Sequence, residues 1–315
     1  MRREKSKLRR RTERALTRCV AASFGFLARF LPLSALRGLA DGFAWAIRKL
    51  APSRQGVAVE NLRRAFGDRY TNRQYRALAA SVTRGICRTM VELLKLPYLS
   101  AEQIQDLVDL RGAEHVEAAL ALGKGVLMLT AHFGNWEFGG ARMARAGWPV
   151  TVVARDSEEN LTAQMINQAR RSQGLEVLDR DSLRGMLRTL ESGRILCVLA
   201  DQHAATGGII VDFLGRPAAT ATGPAVLALR TGAAIVPGFC HRLADGTFRV
   251  EFFPALDLPH TGDRDADVRK ITQMCNDVVA REITADPDQW LWLHRRWKVD
   301  HLAEAPPPVE SETHG

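Results

Sequence analysis

Between residues 126 and 284, short apolar runs alternate with stretches of helical spacing, and this limits the fold more than any other feature of the chain. The runs 126–130, 149–154, 175–178, 195–199, 209–213, 234–240 and 247–254 have the length and content of strands. Between them, 137–146, 159–172, 182–192, 223–231 and 265–284 carry apolar residues at helical spacing. Strands this apolar need cover on both faces. The expectation is an α/β fold: a central mixed, mostly parallel sheet flanked by helices, preceded by N-terminal membrane-associated helices. Ahead of the alternation, residues 56–96 hold one helical pattern through Leu62, Tyr75, Val82 and Met90 until Pro97 stops it. Met90 and its neighbours suit either helical core or the wall of a lipid groove. Residues 102–122 read as one more helix, ended by Gly123-Lys124-Gly125.

The first strand runs into Ala131-His132-Phe133-Gly134-Asn135-Trp136-Glu137, where Phe-Gly-Asn is turn chemistry and Glu137 opens a helical stretch. On one helix, residues five apart point about 140° away from each other. A strand–turn–helix path can instead bring His132 and Glu137 face to face. That pairing suits a general base: the imidazole takes a proton from a hydroxyl while the carboxylate fixes its tautomer. The plainer reading is a strand-end histidine and a helix-start carboxylate, each serving structure. Oxyanion donors are not legible, though backbone N–H groups of the 133–136 turn suit the task. Arg155 and Asp201 each follow an apolar strand, which in a parallel sheet puts them on the same edge as His132.

Charge separates the N-terminus from the body. Residues 1–18 hold nine Lys/Arg against Glu4 and Glu13, a net +7 out of +9 for all 315 residues. The body has no basic stripe interleaved with aromatics, so nucleic acid is not an expected partner. A basic block before apolar sequence suits an anionic lipid surface. Arg29 and Pro32 interrupt the apolar stretch 19–33, which is shorter than the ~20 residues of a spanning helix. Residues 15–50 therefore read as two helices lying in the membrane interface, a tilted span being the alternative. The expected division is a basic tail (1–18), a membrane-associated helical segment (19–50), an α/β domain (51–300) and a disordered tail (301–315) with Pro306-Pro307-Pro308. The five cysteines are scattered without a CxxC and offer no zinc ligand set. Cys197 reads as core.

Seven motifs fall in a fixed order. They are Thr130 to Glu137, Val153-Ala154-Arg155 with Asn160, Leu183 to Leu187, Ala200-Asp201-Gln202, Phe213 to Thr220, Ala233 to Pro237, and Pro287 to Lys298. In this order they resemble the bacterial lipid A late acyltransferase family within the glycerolipid acyltransferase superfamily, over roughly residues 55–298. The resemblance implies O-acyl transfer with His132 and Glu137 catalytic and with no cofactor or metal. The donor would be an acyl carrier protein thioester and the acceptor a phosphorylated lipid A precursor, or another glycolipid or lysophospholipid, at the cytoplasmic face of a bacterial inner membrane. Arg155 and Arg216 would hold acceptor phosphate, and Asn135 and Asp201 would contact substrate, Asp201 being equally open to a structural role. Arg295 and Arg296 would meet anionic head groups, while Trp290, Trp292 and Trp297 suit either the interface or a helix packed on the core. Thr220 and Gly223 would cap and open a helix, and Pro237 would be structural. Two other functions fit the same residues: an esterase or thioesterase in which the pair activates water, and a non-catalytic membrane-binding protein.

Overall fold

The computed structural model describes Cys19, residues 23–154 and residues 161–299. The basic segment 1–18, Arg155, Asn160 and the tail 301–315 lie outside the described residues. Residues 23–30 are helical, and after Pro32 come α1 (Leu33–Leu50), α2 (Pro52–Phe66) and α3 (Asn72–Lys95). The pattern expected as one helix over 56–96 is thus two. Gly67 takes φ +55, and Thr71 with Gln74 forms a reciprocal capping box that restarts the helix. Among the described residues, no helix is long and apolar enough to cross a membrane.

The stretch 102–122 is likewise not one helix. It holds α4 (Ala101–Leu107), β1 (Val108–Arg111) and α5 (Ala113–Ala121). Val108-Asp109-Leu110-Arg111 alternates apolar and polar residues, and Gly112 at φ +70 permits the turn into α5. Then follow β2 (Val126–Thr130), α6 (Trp136–Arg145), β3 (Val150–Ala154), α7 (Leu161–Ser172), β4 (Glu176–Asp179), α8 (Leu183–Glu191) and β5 (Ile195–Leu199). The chain continues through β6 (Gly208–Asp212), β7 (Pro217–Ala221), α9 (Gly223–Thr231), β8 (Ala234–Arg242), β9 (Phe248–Phe252) and α10 (Arg264–Ala285). The expected strands are all present, and β1 and β7 are added to them. Thr220 is not a helix cap: it is buried in β7, and Thr222 takes the N-cap position of α9.

Seven strands form one sheet in the order β1-β9-β8-β2-β5-β3-β4, and β6 and β7 make a separate hairpin. Only β8–β9 is antiparallel, so the sheet is mixed and mostly parallel. Helices cover both faces. Phe138, Ala141 and Met143 of α6 pack on one side, against Met128, Cys197 and Cys240. On the other, Leu187, Leu190, Ala225 and Ile271 pack on Leu127, Leu196 and Ile235. Buried β2 lies between β5 and β8, and its carboxyl end opens where such sheets place their sites. A third core joins α2, α3 and α10 to Trp290, Trp292 and Trp297 over that end. The tryptophans are buried as core residues, the second of the two alternatives, but residues 290–299 carry them on an isolated β-bridge, turns and irregular backbone and not on a helix.

Candidate active site

Parallel register alone brings two site residues together. Thr130 of β2 lies opposite Leu199 of β5, so two residues further on His132 meets Asp201. His132 Nδ1 is 2.9 Å from Asp201 Oδ1, and the His132 amide donates to Oδ2 at 3.1 Å. The Trp290 indole donates to Oδ2 at 2.7 Å. Asp201 is buried, while the His132 ring keeps partial access to solvent. A carboxylate on Nδ1 favours the tautomer with its proton there and leaves Nε2 as the lone-pair nitrogen. Burial opposes protonation of His132, but Asp201, with help from Glu137, outweighs it and holds the imidazole pKa above its usual value. Burial likewise pushes Asp201 upward, and the His132 charge with the His132 and Trp290 hydrogen bonds brings it below the usual carboxylate range.

Glu137 is therefore not the hydrogen-bond partner expected for His132. It stands at the second position of α6, and Arg170 of α7 grips it with Nε–Oε2 2.9 Å and Nη2–Oε1 2.6 Å. The Trp136 indole adds a bond to Oε1 at 3.0 Å. Its influence on His132 is through its charge. Asn135, expected to touch substrate, is buried: its Oδ1 caps α6 at Phe138 N, 3.0 Å away, and its Nδ2 donates to Glu92 at 2.7 Å. Glu92, also buried, accepts from Arg37 Nε and from both terminal nitrogens of Arg242 at 2.6–2.7 Å. This cluster joins α1, α3 and β8 to the turn that carries the histidine.

The turn is held by backbone as well. Gly134 N donates to Gln289 O, Asn135 N to Cys240 O, and Leu291 N to His132 O, all within 3.1 Å. Gly134 has φ +55, and a Cβ there would sit 1.8 Å from Cys240 O, so only glycine fits. The amides of 133–135 are consequently spent, contrary to their expected use for an oxyanion. Trp136 and Glu137, the first two residues of α6, keep amides outside the intrahelical ladder.

Two spaces meet at Trp136, whose ring centroid lies 5.2 Å from that of His132. On one side a narrow apolar slot of about 50 Å³ passes Thr130 and Glu137 toward Met128, Gly139, Gly140 and Gly238. On the other, a polar cavity of about 330 Å³ is walled by His132, Arg84, Arg88, Arg242 and Asp288. Cys197 and Cys240 line the slot, and burial pushes both thiols up to about 12, which removes them as nucleophiles near neutral pH.

The other expected head-group residues lie elsewhere. Arg296 is fully buried: Nη1 donates to Ala219 O and Nη2 to Thr220 Oγ1, each at 2.6 Å, and its guanidinium lies 4.7 Å from the Phe213 ring. Burial draws its pKa down to about 10, and it acts as a strut for the β6–β7 hairpin. Arg216 donates to Arg64 O at 2.7 Å, and exposed Arg295 lines a separate surface pocket with Arg64 and Lys298. Arg155 falls outside the described residues. Sequence reasoning missed Arg170, Glu92 and Arg84, which sit inside amphipathic helical patterns that look the same whether a charged side chain faces solvent or a site.

A family model of bacterial lipid A biosynthesis acyltransferases matches residues 2–299. A phosphatidylinositol mannoside acyltransferase of Mycobacterium tuberculosis (strain CDC 1551 / Oshkosh) is 33% identical over 217 residues, 66% of this chain and 66% of its own length. The match thus spans just under two thirds of that relative. The lipid A biosynthesis palmitoleoyltransferase of Escherichia coli (strain K12) is 24% identical over 278 residues, covering 87% of this chain and 89% of that protein. The lipid A biosynthesis lauroyltransferase of the same strain is 30% identical over 191 residues, 60% of this chain and 61% of that protein.

Proposed function

The chain belongs to the bacterial lipid A biosynthesis acyltransferase family, and on that premise we propose that it is an O-acyltransferase acting on a lipid acceptor with His132 as general base. The observation that carries this reading is the His132 Nδ1–Asp201 Oδ1 contact at 2.9 Å, placed between an apolar slot and a polar cavity. The slot suits a fatty acyl chain and the cavity a hydroxyl-bearing head group. Deep entry of a chain needs Met128 and Met143 to move, which methionine's three rotatable bonds permit.

The step needs no covalent enzyme intermediate. Nε2 of His132 takes the proton from an acceptor hydroxyl as its oxygen attacks the thioester carbonyl. Asp201 stabilises the imidazolium, and the Trp136 and Glu137 amides are the oxyanion donors the turn leaves available. Collapse breaks the carbon–sulfur bond and expels the thiolate, which takes the proton from His132 to give ester and thiol. Glu137 adds negative charge beside the imidazolium and is fixed by Arg170.

The donor we assign is acyl carrier protein thioester, and the acceptor is a phosphorylated glycolipid at the cytoplasmic face of a bacterial inner membrane. Relatives named for lipid A and for phosphatidylinositol mannoside support both kinds of head group. The test is an assay with acyl carrier protein thioester and extracted bacterial lipid, products resolved by mass, with His132→Ala beside wild type. Acylated lipid that disappears in the variant is the expected result. Free fatty acid as the sole product would move the protein to the hydrolase reading.

A further inference from the structure

The polar cavity beside His132 meets an apolar groove of about 340 Å³ at Ile86, which lines both. Helix α3 faces the two spaces with adjacent stripes. Arg84 and Arg88, four residues apart, lie on the cavity. Cys87, Met90, Val91 and Leu94 lie on the groove, whose far side is Phe43 and Ile47 of α1. We propose that cavity and groove together bind the acceptor as one anionic amphiphile, its phosphorylated sugar or polyol head against Arg84 and its acyl tail along Met90 and Phe43. Only the word acceptor rests on the acyl-transfer reading.

Charge bookkeeping singles out Arg84. Arg242 spends both terminal nitrogens on Glu92, and Arg88 holds Asp41 with bonds of 2.6 and 2.5 Å. Arg84, exposed on the cavity, makes no ion pair with a described residue. An unpaired guanidinium facing a cavity suits phosphate, with which it forms two parallel charge-assisted hydrogen bonds. On the same wall, the Asp288 carboxylate accepts from Ser81 Oγ at 2.8 Å, while Gln289 spends its side-chain amide on Arg242 and Asp286. A carboxylate accepts from ring hydroxyls and repels phosphate, so the wall is graded from phosphate-seeking at Arg84 to hydroxyl-seeking at Asp288. The volume, about 330 Å³, is at the size of pockets that take small ligands. The groove is walled almost wholly by apolar side chains, which suits a chain and nothing charged. Arg84 and His132 bound one cavity, so a head group held by phosphate at Arg84 presents its hydroxyls to the base.

The test is calorimetric titration of the full chain with myo-inositol 1-phosphate and glucosamine 1-phosphate, each against its phosphate-free parent, and with dihexanoyl phosphatidylinositol. Wild type should bind at least one phosphorylated head group tenfold or more tighter than its parent, and the tighter of the two tells the polyol from the amino sugar. Arg84→Ala should abolish that preference and Arg84→Lys should keep part of it. Met90→Trp should leave the soluble head group's Kd unchanged while weakening dihexanoyl phosphatidylinositol at least tenfold. Equal binding of phosphorylated and parent compounds by wild type, or an Arg84→Ala protein that matches wild type, overturns the head-group site. A Met90→Trp protein that binds the lipid as wild type does overturns the tail site. None of these titrations needs turnover: if they behave as expected while no ester forms, the acyl-transfer reading falls and the amphiphile site stands.

Discussion

Asp201, 2.9 Å from His132 Nδ1, decides which ring nitrogen meets a substrate. The base is the neutral imidazole, so the rate falls as pH drops through the raised His132 pKa, and the acid limb of kcat/KM should lie above the ordinary value of about 6.5. Asp201→Asn removes the largest upward cause and leaves burial in place. The limb should then move to lower pH, and kcat should fall by something like 10²–10⁴ with the tautomer no longer fixed. Glu137→Gln, acting only through space, should shift the limb less and cost less rate. A pH–rate series for both variants decides between them; equal shifts and equal losses would return Glu137 to the role of partner. Both carboxylates were legible in the sequence as neighbours of His132, one by spacing and one by its place after a strand. Their division of labour was not, because it depends on the register of β2 with β5 and on Arg170, 33 residues from Glu137.

Strands and helices were legible wherever period matched burial. β2, β5 and β8 show as apolar runs because helices cover both faces of the sheet. β1 was hidden because four residues of alternation between two helices are too few to break a helical pattern, and β7 because Pro217-Ala-Ala-Thr-Ala carries little apolar bulk. Least legible of all was the junction of α1, α3, β8 and the histidine turn at Glu92, since a carboxylate with four donors around it looks from sequence like any helical glutamate. That junction gives a stability prediction. Glu92→Leu strips the anion from two largely buried arginines and from Asn135, and the loss of a buried partner of this kind costs about 3–5 kcal/mol. Arg37→Met should cost much less, because Arg242 and Asn135 still satisfy Glu92 and because Arg37 Nη2 is buried without a hydrogen-bond partner. Urea unfolding midpoints measure both; an Arg37→Met protein as unstable as Glu92→Leu would contradict this account.

For the molecule as a whole, the N-terminal helices leave apolar surface uncovered that a core would claim. Leu50 is 85% exposed, Phe26 67%, Phe30 64% and Trp45 57%, and partly exposed Phe43 also lines the groove. Aromatic and aliphatic side chains gathered on two helices beside a groove are the makings of an interfacial surface, with the +7 segment 1–18 preceding it in the chain. Two forces with different salt responses should therefore hold the protein on lipid. Each basic residue near an anionic surface contributes about 1 kcal/mol, screened within a Debye length, while buried apolar area is nearly indifferent to salt. In vesicle co-sedimentation, binding should strengthen as phosphatidylglycerol replaces phosphatidylcholine and weaken as salt rises, levelling at a floor. Removing residues 1–18 should erase the salt dependence and leave the floor. The triple variant Phe26→Ser, Phe30→Ser, Trp45→Ser should remove the floor and keep the salt dependence. If the triple variant sediments with neutral vesicles as wild type does, the apolar face faces something other than lipid. An acceptor whose tail enters the groove past Phe43 would then have to leave the bilayer for its head group to reach His132.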